Sequence, residues 1–215
     1  MRRVRDLPWL TAGLVATALW LSLLPGAAES LEYRRAAVDA GEWWRPITGQ
    51  LVHWTARMTL VDLGAVLLLG AALEPRSRGR LALVLATAGL AIGAALHVVT
   101  TDVDRYRGSS GLGAALLAAL VAASAVSERP VVRRLALAVA ALFVVKVVVE
   151  STAAAPLAAG PMPDGVRVLA GVHVLGAVAG VSWGIDRAAL RRRGRRMPTA
   201  TVGIHGVPAG AREVD

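Results

Sequence analysis

The sequence predicts an all-α membrane protein: six transmembrane helices, with both termini in the cytoplasm. Three observations lead there. Of 215 residues, 55% are hydrophobic and 18% charged, against roughly 45–50% and about a quarter in soluble domains. Six spans of about 20 apolar residues would use nearly all of that hydrophobic content. The basic residues also fall in clusters that flank alternate apolar runs, as cytoplasmic segments of membrane proteins do.

The runs are, in order, Trp9–Pro25, Thr55–Leu73, Leu81–Val99, Gly108–Val126, Leu135–Val149 and Val168–Ile185. None alternates as a strand does, and lipid tolerates no unpaired backbone, so each is read as a helix. The fifth is short and carries Lys146, the one lysine of the chain, near its far end.

Arg2, Arg3 and Arg5 precede the first run. Arg76, Arg78 and Arg80 separate the second from the third, and Arg129, Arg133 and Arg134 the fourth from the fifth. Arg187, Arg191, Arg192, Arg193, Arg195 and Arg196 follow the sixth, while the remaining linkers mix signs. Positive-inside counting then places both ends in the cytoplasm, which requires an even number of spans. Residues 1–8 are read as a cytoplasmic N-terminus, 9–185 as the membrane domain, and 186–215 as a basic, disordered cytoplasmic tail.

A basic start, an apolar run and Gly26-Ala27-Ala28 also resemble a secretory signal with its cleavage site. The run exceeds the signal core of about 7–15 residues, and cleavage would leave an odd number of spans. It is therefore kept as the first span.

The net charge of +9 follows from these arginine clusters, and no nucleic-acid partner is read from it. With no cysteine, disulfides, thiol nucleophiles and thiolate metal sites are excluded. His53, His97 and His173 show no metal-ligand spacing with carboxylates, so no metal and no organic cofactor is expected. His97 and His205 are read as incidental polar residues.

Polar groups inside hydrocarbon are costly, which makes them the functional candidates. Ser109 and Ser110 open the fourth run within Gly108-Ser109-Ser110-Gly111. His173 lies about six residues into the sixth, roughly 9 Å along its axis. Both runs enter from the non-cytoplasmic side in this topology, so the two residues share a depth and could meet. Asp62, midway along the second run, enters from that side too.

A serine beside a histidine can act as nucleophile and general base. Gly108 and Gly111 would allow a tight turn and close backbone approach, with helix-start N–H groups available to an oxyanion. Gly176 and Gly180 lie below His173 and give the sixth helix a smooth face for close packing. Taken singly, a Gly-Ser-Ser-Gly stretch is an ordinary loop, and a histidine near a span end is an ordinary interhelical hydrogen-bonding residue.

The ordered set resembles the rhomboid family of intramembrane serine proteases, which have a six-helix core. Gly108-Ser109-Ser110-Gly111 looks like the family's Gly-x-Ser-Gly, which implies Ser110 as nucleophile. His173, followed by Gly176 and Gly180, looks like the last-helix histidine and implies the base. Glu42-Trp43-Trp44-Arg45, His53, Gly70 and Glu74 are similar to the first loop and second helix, with Trp44-Arg45 matching the loop's Trp-Arg motif. The resemblance runs over residues 10–185 and implies a rhomboid-like bundle in the plasma (inner) membrane. Its partners would be membrane-anchored protein substrates and the lipid bilayer.

Within the family the chain looks most like the short rhombosortase branch, on Tyr106, Lys146, Glu150 and the Val-His-x-x-Gly run. That branch is thought to process proteins with a C-terminal Gly-Gly sorting tail. Ser109 departs from the leucine usual before the nucleophile. Lys146 and Glu150 are read first as an i,i+4 pair near the outer surface.

Two further departures bear on activity. Where family members carry a histidine and an asparagine that donate to the oxyanion, this chain has Met58 and Asp62. Methionine cannot donate, and a carboxyl donates only when protonated. Ala114 stands where a ring often stacks on the histidine.

The expected function is therefore a serine endopeptidase acting near the outer face of the bilayer through Ser110 and His173. Gly108, Ser109, Met58, Asp62 and His53 are candidates for the oxyanion and substrate site. The alternative is an inactive relative that binds transmembrane clients without cutting them. A small transporter would fit the composition but explains none of the motifs.

Overall fold

A helix covers most of each of the six apolar runs among the described residues. The computed structural model describes residues 7–153, 160, 166 and 169–195, with the side chains of the last helix described as far as Ser182. Helix α1 spans Trp9–Leu23. A long connection follows, with short helices α2 (Ala27–Leu31), α3 (Arg35–Asp39) and α4 (Arg45–Thr48) and strand β1 (Tyr33–Arg34). Helices α5 (Ala56–Leu73) and α6 (Arg78–Val98) come next, then β2 (Arg105–Tyr106), α7 (Ser110–Ala125), α8 (Pro130–Ala153) and α9 (Ala170–Arg195).

Local chemistry sets several boundaries. Thr55 caps α5, its hydroxyl accepting the Met58 N–H at 3.1 Å. Pro130, which has no N–H to lose, opens α8. Two helices outrun the apolar segments that announce them: α8 starts before Leu135, and α9 continues past Ile185 to Arg195. Hydropathy marks where lipid contact is favourable, whereas helix hydrogen bonding continues through arginine and alanine, both good helix formers. The remainder of the basic tail, 196–215, and the N-terminal arginines lie outside the described residues.

Helices α5, with the turn after it, and α6 are long and apolar enough to cross a membrane, at mean hydropathies of 1.7 and 2.1. The helices at Trp9–Leu23, Ser110–Ala125 and Ala170–Ser182 are apolar but shorter. The outward faces stay apolar: Leu60, Leu68, Leu83 and Leu142 are 62–74% exposed, and Trp20 60%. Water tolerates no such belt around a small protein, since exposed apolar patches of that extent mark a membrane or partner surface. The chain is a membrane protein.

Helix α7 is the centre of the bundle. Gly111–Leu116, Ala118 and Ala119 are all buried, and Leu112, Ala115, Leu116 and Ala119 join Val66, Leu73, Leu81, Val84 and Ala88 in one apolar core. Its small residues let α9 approach closely. A methyl group built on Gly176 would collide with the Gly111 carbonyl, and one on Gly180 with the Ala115 carbonyl. Among membrane helices, association depends on such small-residue contact because lipid tails offer no hydrophobic contrast.

A buried carboxylate holds one end of the bundle and a two-stranded sheet the other. Glu74 caps α1, accepting the Leu10 and Thr11 N–H groups at 2.9 and 2.8 Å and the Thr11 hydroxyl at 2.7 Å. Arg78 supplies its counter-charge. At the other end β1 pairs antiparallel with β2, with Tyr33 opposite Tyr106 and Arg34 opposite Arg105. That pairing ties the long first connection to the chain segment that enters α7.

Candidate active site

The segment entering α7 is positioned by charge. Glu32, with no exposed surface, accepts hydrogen bonds from Arg34 at 2.8 Å, from Arg105 at 3.0 Å and from Arg107 at 2.8 Å. Burial opposes the carboxylate charge, but these three guanidinium groups outweigh it and hold Glu32 below the ordinary 4.5. Arg105 and Arg107 also lie over the Trp54 ring, at 5.0 and 4.3 Å from its centre. This cluster fixes the backbone immediately before Gly108.

Gly108 turns that backbone into the helix. Its φ is +137°, a region closed to L-residues with a side chain. A Cβ there would strike Met58 and come within 3.3 Å of Asp62 Oδ2. The Gly108 N–H donates to the Gly49 carbonyl at 3.1 Å, and its own carbonyl accepts the Tyr106 hydroxyl at 2.9 Å. Ser109 occupies the N-cap, although its hydroxyl makes no capping bond. It lies instead 3.1 Å from His53 Nε2. Ser110 is the first residue of α7, where N–H groups have no partner within the helix.

His173 sits in the first turn of α9 and is buried. It lines the same cavity as Ser110, a space of about 190 Å³ that Met58, Asp62, Lys146 and Glu150 also border. Ala114, one turn below Ser110, faces that cavity and places no ring in it. Asp62 is buried with its Oδ2 3.6 Å from His53 Nε2. Helix α5 thus brings Met58 and Asp62, one turn apart, to the wall beside Gly108. The site has a hydroxyl and an imidazole on one small cavity, with the helix-start N–H groups of α7 at its edge. Those are the parts of a nucleophile, a base and an oxyanion binder.

Not every expected residue joins them. Trp44 is half exposed, and Arg45 is buried in the first connection, bonding Glu42 at 2.7 Å and the Glu29 and Glu32 carbonyls at 3.1 and 3.0 Å. Both belong to the scaffold. Gly111, Gly176 and Gly180 form the α7–α9 seam. His97 lies away from the cavity, 3.5 Å from Asp39 and edge-on to the Trp43 ring; His205 is outside the described residues. Among the described residues, no three His, Asp or Glu side chains are grouped to hold a metal ion.

Lys146 and Glu150 pair as their i,i+4 spacing predicts, and the pair also faces inward: the Glu150 side chain is 3% exposed and its Oε2 lies 3.3 Å from His173 Nδ1. The i,i+4 spacing predicts the pair and says nothing of which way the helix faces. The Glu32 cluster also escapes sequence reading. Arg105-Tyr106-Arg107, alternating ahead of Gly108, is the one local sign of it.

Against known families, a family model described as Rhomboid domain matches residues 40–188. That stretch contains every residue bordering the cavity. No curated protein matches the chain.

Proposed function

Because the chain belongs to the rhomboid family, whose members are in general intramembrane serine proteases, we propose that it is itself a serine endopeptidase working through Ser110 and His173. The observation carrying this reading is that both side chains border one small buried cavity at the start of α7. Ser110 Oγ attacks a peptide carbonyl as its proton passes to His173 Nε2. The tetrahedral oxyanion faces the N–H groups at the start of α7, Ser110's own among them. His173 then protonates the leaving amine, and it activates the water that hydrolyses the acyl-enzyme. No metal or organic cofactor takes part.

The finer reading has six spans in the plasma (inner) membrane, both termini cytoplasmic, and the cavity toward the outer face. Positive-inside counting supports it. Tyr106, Lys146, Glu150 and the His173–Gly176 spacing support rhombosortase-like processing of C-terminal sorting tails on membrane-anchored substrates.

The test is labelling of the purified protein by a fluorophosphonate. Labelling that is abolished in Ser110→Ala and slowed to a small residual rate in His173→Ala is the expected result. A folded wild-type protein that fails to label would remove the proposal and leave a binder of transmembrane clients.

A further inference from the structure

The serine–histidine reading leaves one buried carboxylate unexplained. Glu150 is on α8, 40 positions from Ser110 in sequence, yet it borders the same cavity as Ser110 and His173. Its Oε2 is 3.3 Å from His173 Nδ1, with 3% of the Glu150 side chain and 5% of the His173 side chain exposed. Lys146, one turn earlier, reaches the same oxygen. His173 Nδ1 makes no hydrogen bond to any described group, so its 3.3 Å approach to Glu150 is a contact that a small turn of the ring would convert into one.

A buried carboxylate is expensive unless it is paired. Packing alone would be served as well by an apolar residue on a helix that is otherwise rich in valine and leucine. The carboxylate does have one use here. A neutral imidazole carries its proton on one nitrogen, and a partner on Nδ1 decides which.

We propose that Glu150 is a positioning residue for His173: it accepts the Nδ1–H, so that Nε2 is left as the base available to Ser110, and it faces the imidazolium that forms when Ser110 gives up its proton. Lys146, one turn away on α8, pairs with the same carboxylate oxygen. The inference rests on the serine–histidine reading and turns that dyad into a relay of three side chains from three helices, α7, α9 and α8.

The test uses the full-length protein in lipid nanodiscs and an alkyl fluorophosphonate, following labelling rates together with ¹⁵N spectra of histidine-labelled protein. Glu150→Gln keeps the size and loses the charge; it is expected to label more slowly by up to about 10⁴-fold, the loss seen when a triad carboxylate is neutralised or removed elsewhere. Glu150→Asp is expected to fall between Gln and wild type, and it carries the test if the Gln variant does not fold. The double variant Glu150→Gln/His173→Ala is expected to label no more slowly than His173→Ala alone, because Glu150 acts through the ring. His173 is expected to hold its proton on Nδ1 in wild type and to lose that preference in Glu150→Gln.

Wild-type labelling rates in Glu150→Gln would overturn the inference. So would a slowing that multiplies in full onto His173→Ala, which is the mark of a purely structural role. A wild-type protein that never labels removes the Ser110–His173 reading, while a wild-type His173 protonated on Nε2 removes only the role of Glu150.

Discussion

Gly176 offers the sharpest test of how the bundle holds its site. It packs on the Gly111 carbonyl so closely that an added methyl group overlaps that oxygen, and the next atoms behind it belong to the Gly111 and Ala115 backbone. No flexible side chain is there to yield, so in Gly176→Ala the two helices must part by about 1 Å to regain van der Waals contact. Overpacking of this kind costs about 1–3 kcal/mol. His173 is three residues from Gly176 on the same helix, so the parting carries it away from Ser110. A misplacement of about 1 Å at a reacting pair can cost about 10²-fold in rate.

Gly176→Ala should therefore lower the melting temperature modestly and cut fluorophosphonate labelling by about two orders of magnitude. Gly171→Ala, on the same helix but with nothing within 4 Å of its new methyl group, is the control and should do neither. Thermal melting in detergent and labelling time courses read both quantities. Wild-type labelling and melting in Gly176→Ala would refute the packing argument.

Three other outcomes follow from the site. Glu32→Gln leaves Arg105 and Arg107 without their buried counter-charge, and should destabilise the fold by about 3–5 kcal/mol, read by thermal melting. Because Glu32 ionises below the ordinary 4.5 when folded, its stabilisation is complete above that pH and is lost as pH falls through the lower folded value. Melting curves taken from pH 7 to pH 3 should show that decline in wild type and a shallower one in Glu32→Gln. Gly108→Ala forces a side chain into φ +137° against Met58, a strain of about 1–3 kcal/mol; labelling should collapse even where the helices remain folded by circular dichroism. Asp62→Asn places a permanent donor beside the Gly108 turn, and labelling at neutral pH should rise about tenfold or more, within the worth of one oxyanion donor. An unchanged rate would show that Asp62 does not face the reacting oxygen.

The helices themselves were legible because their signal is local. A stretch such as Ala56–Leu73 is apolar on every side, and backbone groups in lipid leave it no option but a helix. The Ser110–His173 cavity was partly legible, since entering the membrane from one side assigns each residue a depth. What depth does not assign is rotation. Helices apolar all round carry no stripe that says which face turns inward, and so the Lys146–Glu150 spacing announces a pair without announcing its contact with His173. Arg45 reads as part of a motif, while its partners Glu29, Glu32 and Glu42 emerge only once the first connection is folded.

The sequence by itself determined a membrane protein of the rhomboid family, its helical runs, and the serine and histidine to look for, because hydropathy, charge flanks and short motifs are written within a few residues of one another. Only the tertiary structure decided that Glu32 gathers arginines more than 70 positions away, that Met58 and Asp62 close around Gly108, and that a carboxylate from α8 meets the histidine. Those contacts depend on how helices turn about their axes and how the first connection folds back. Both are settled by packing between distant segments, with small residues at the α7–α9 seam setting the distance.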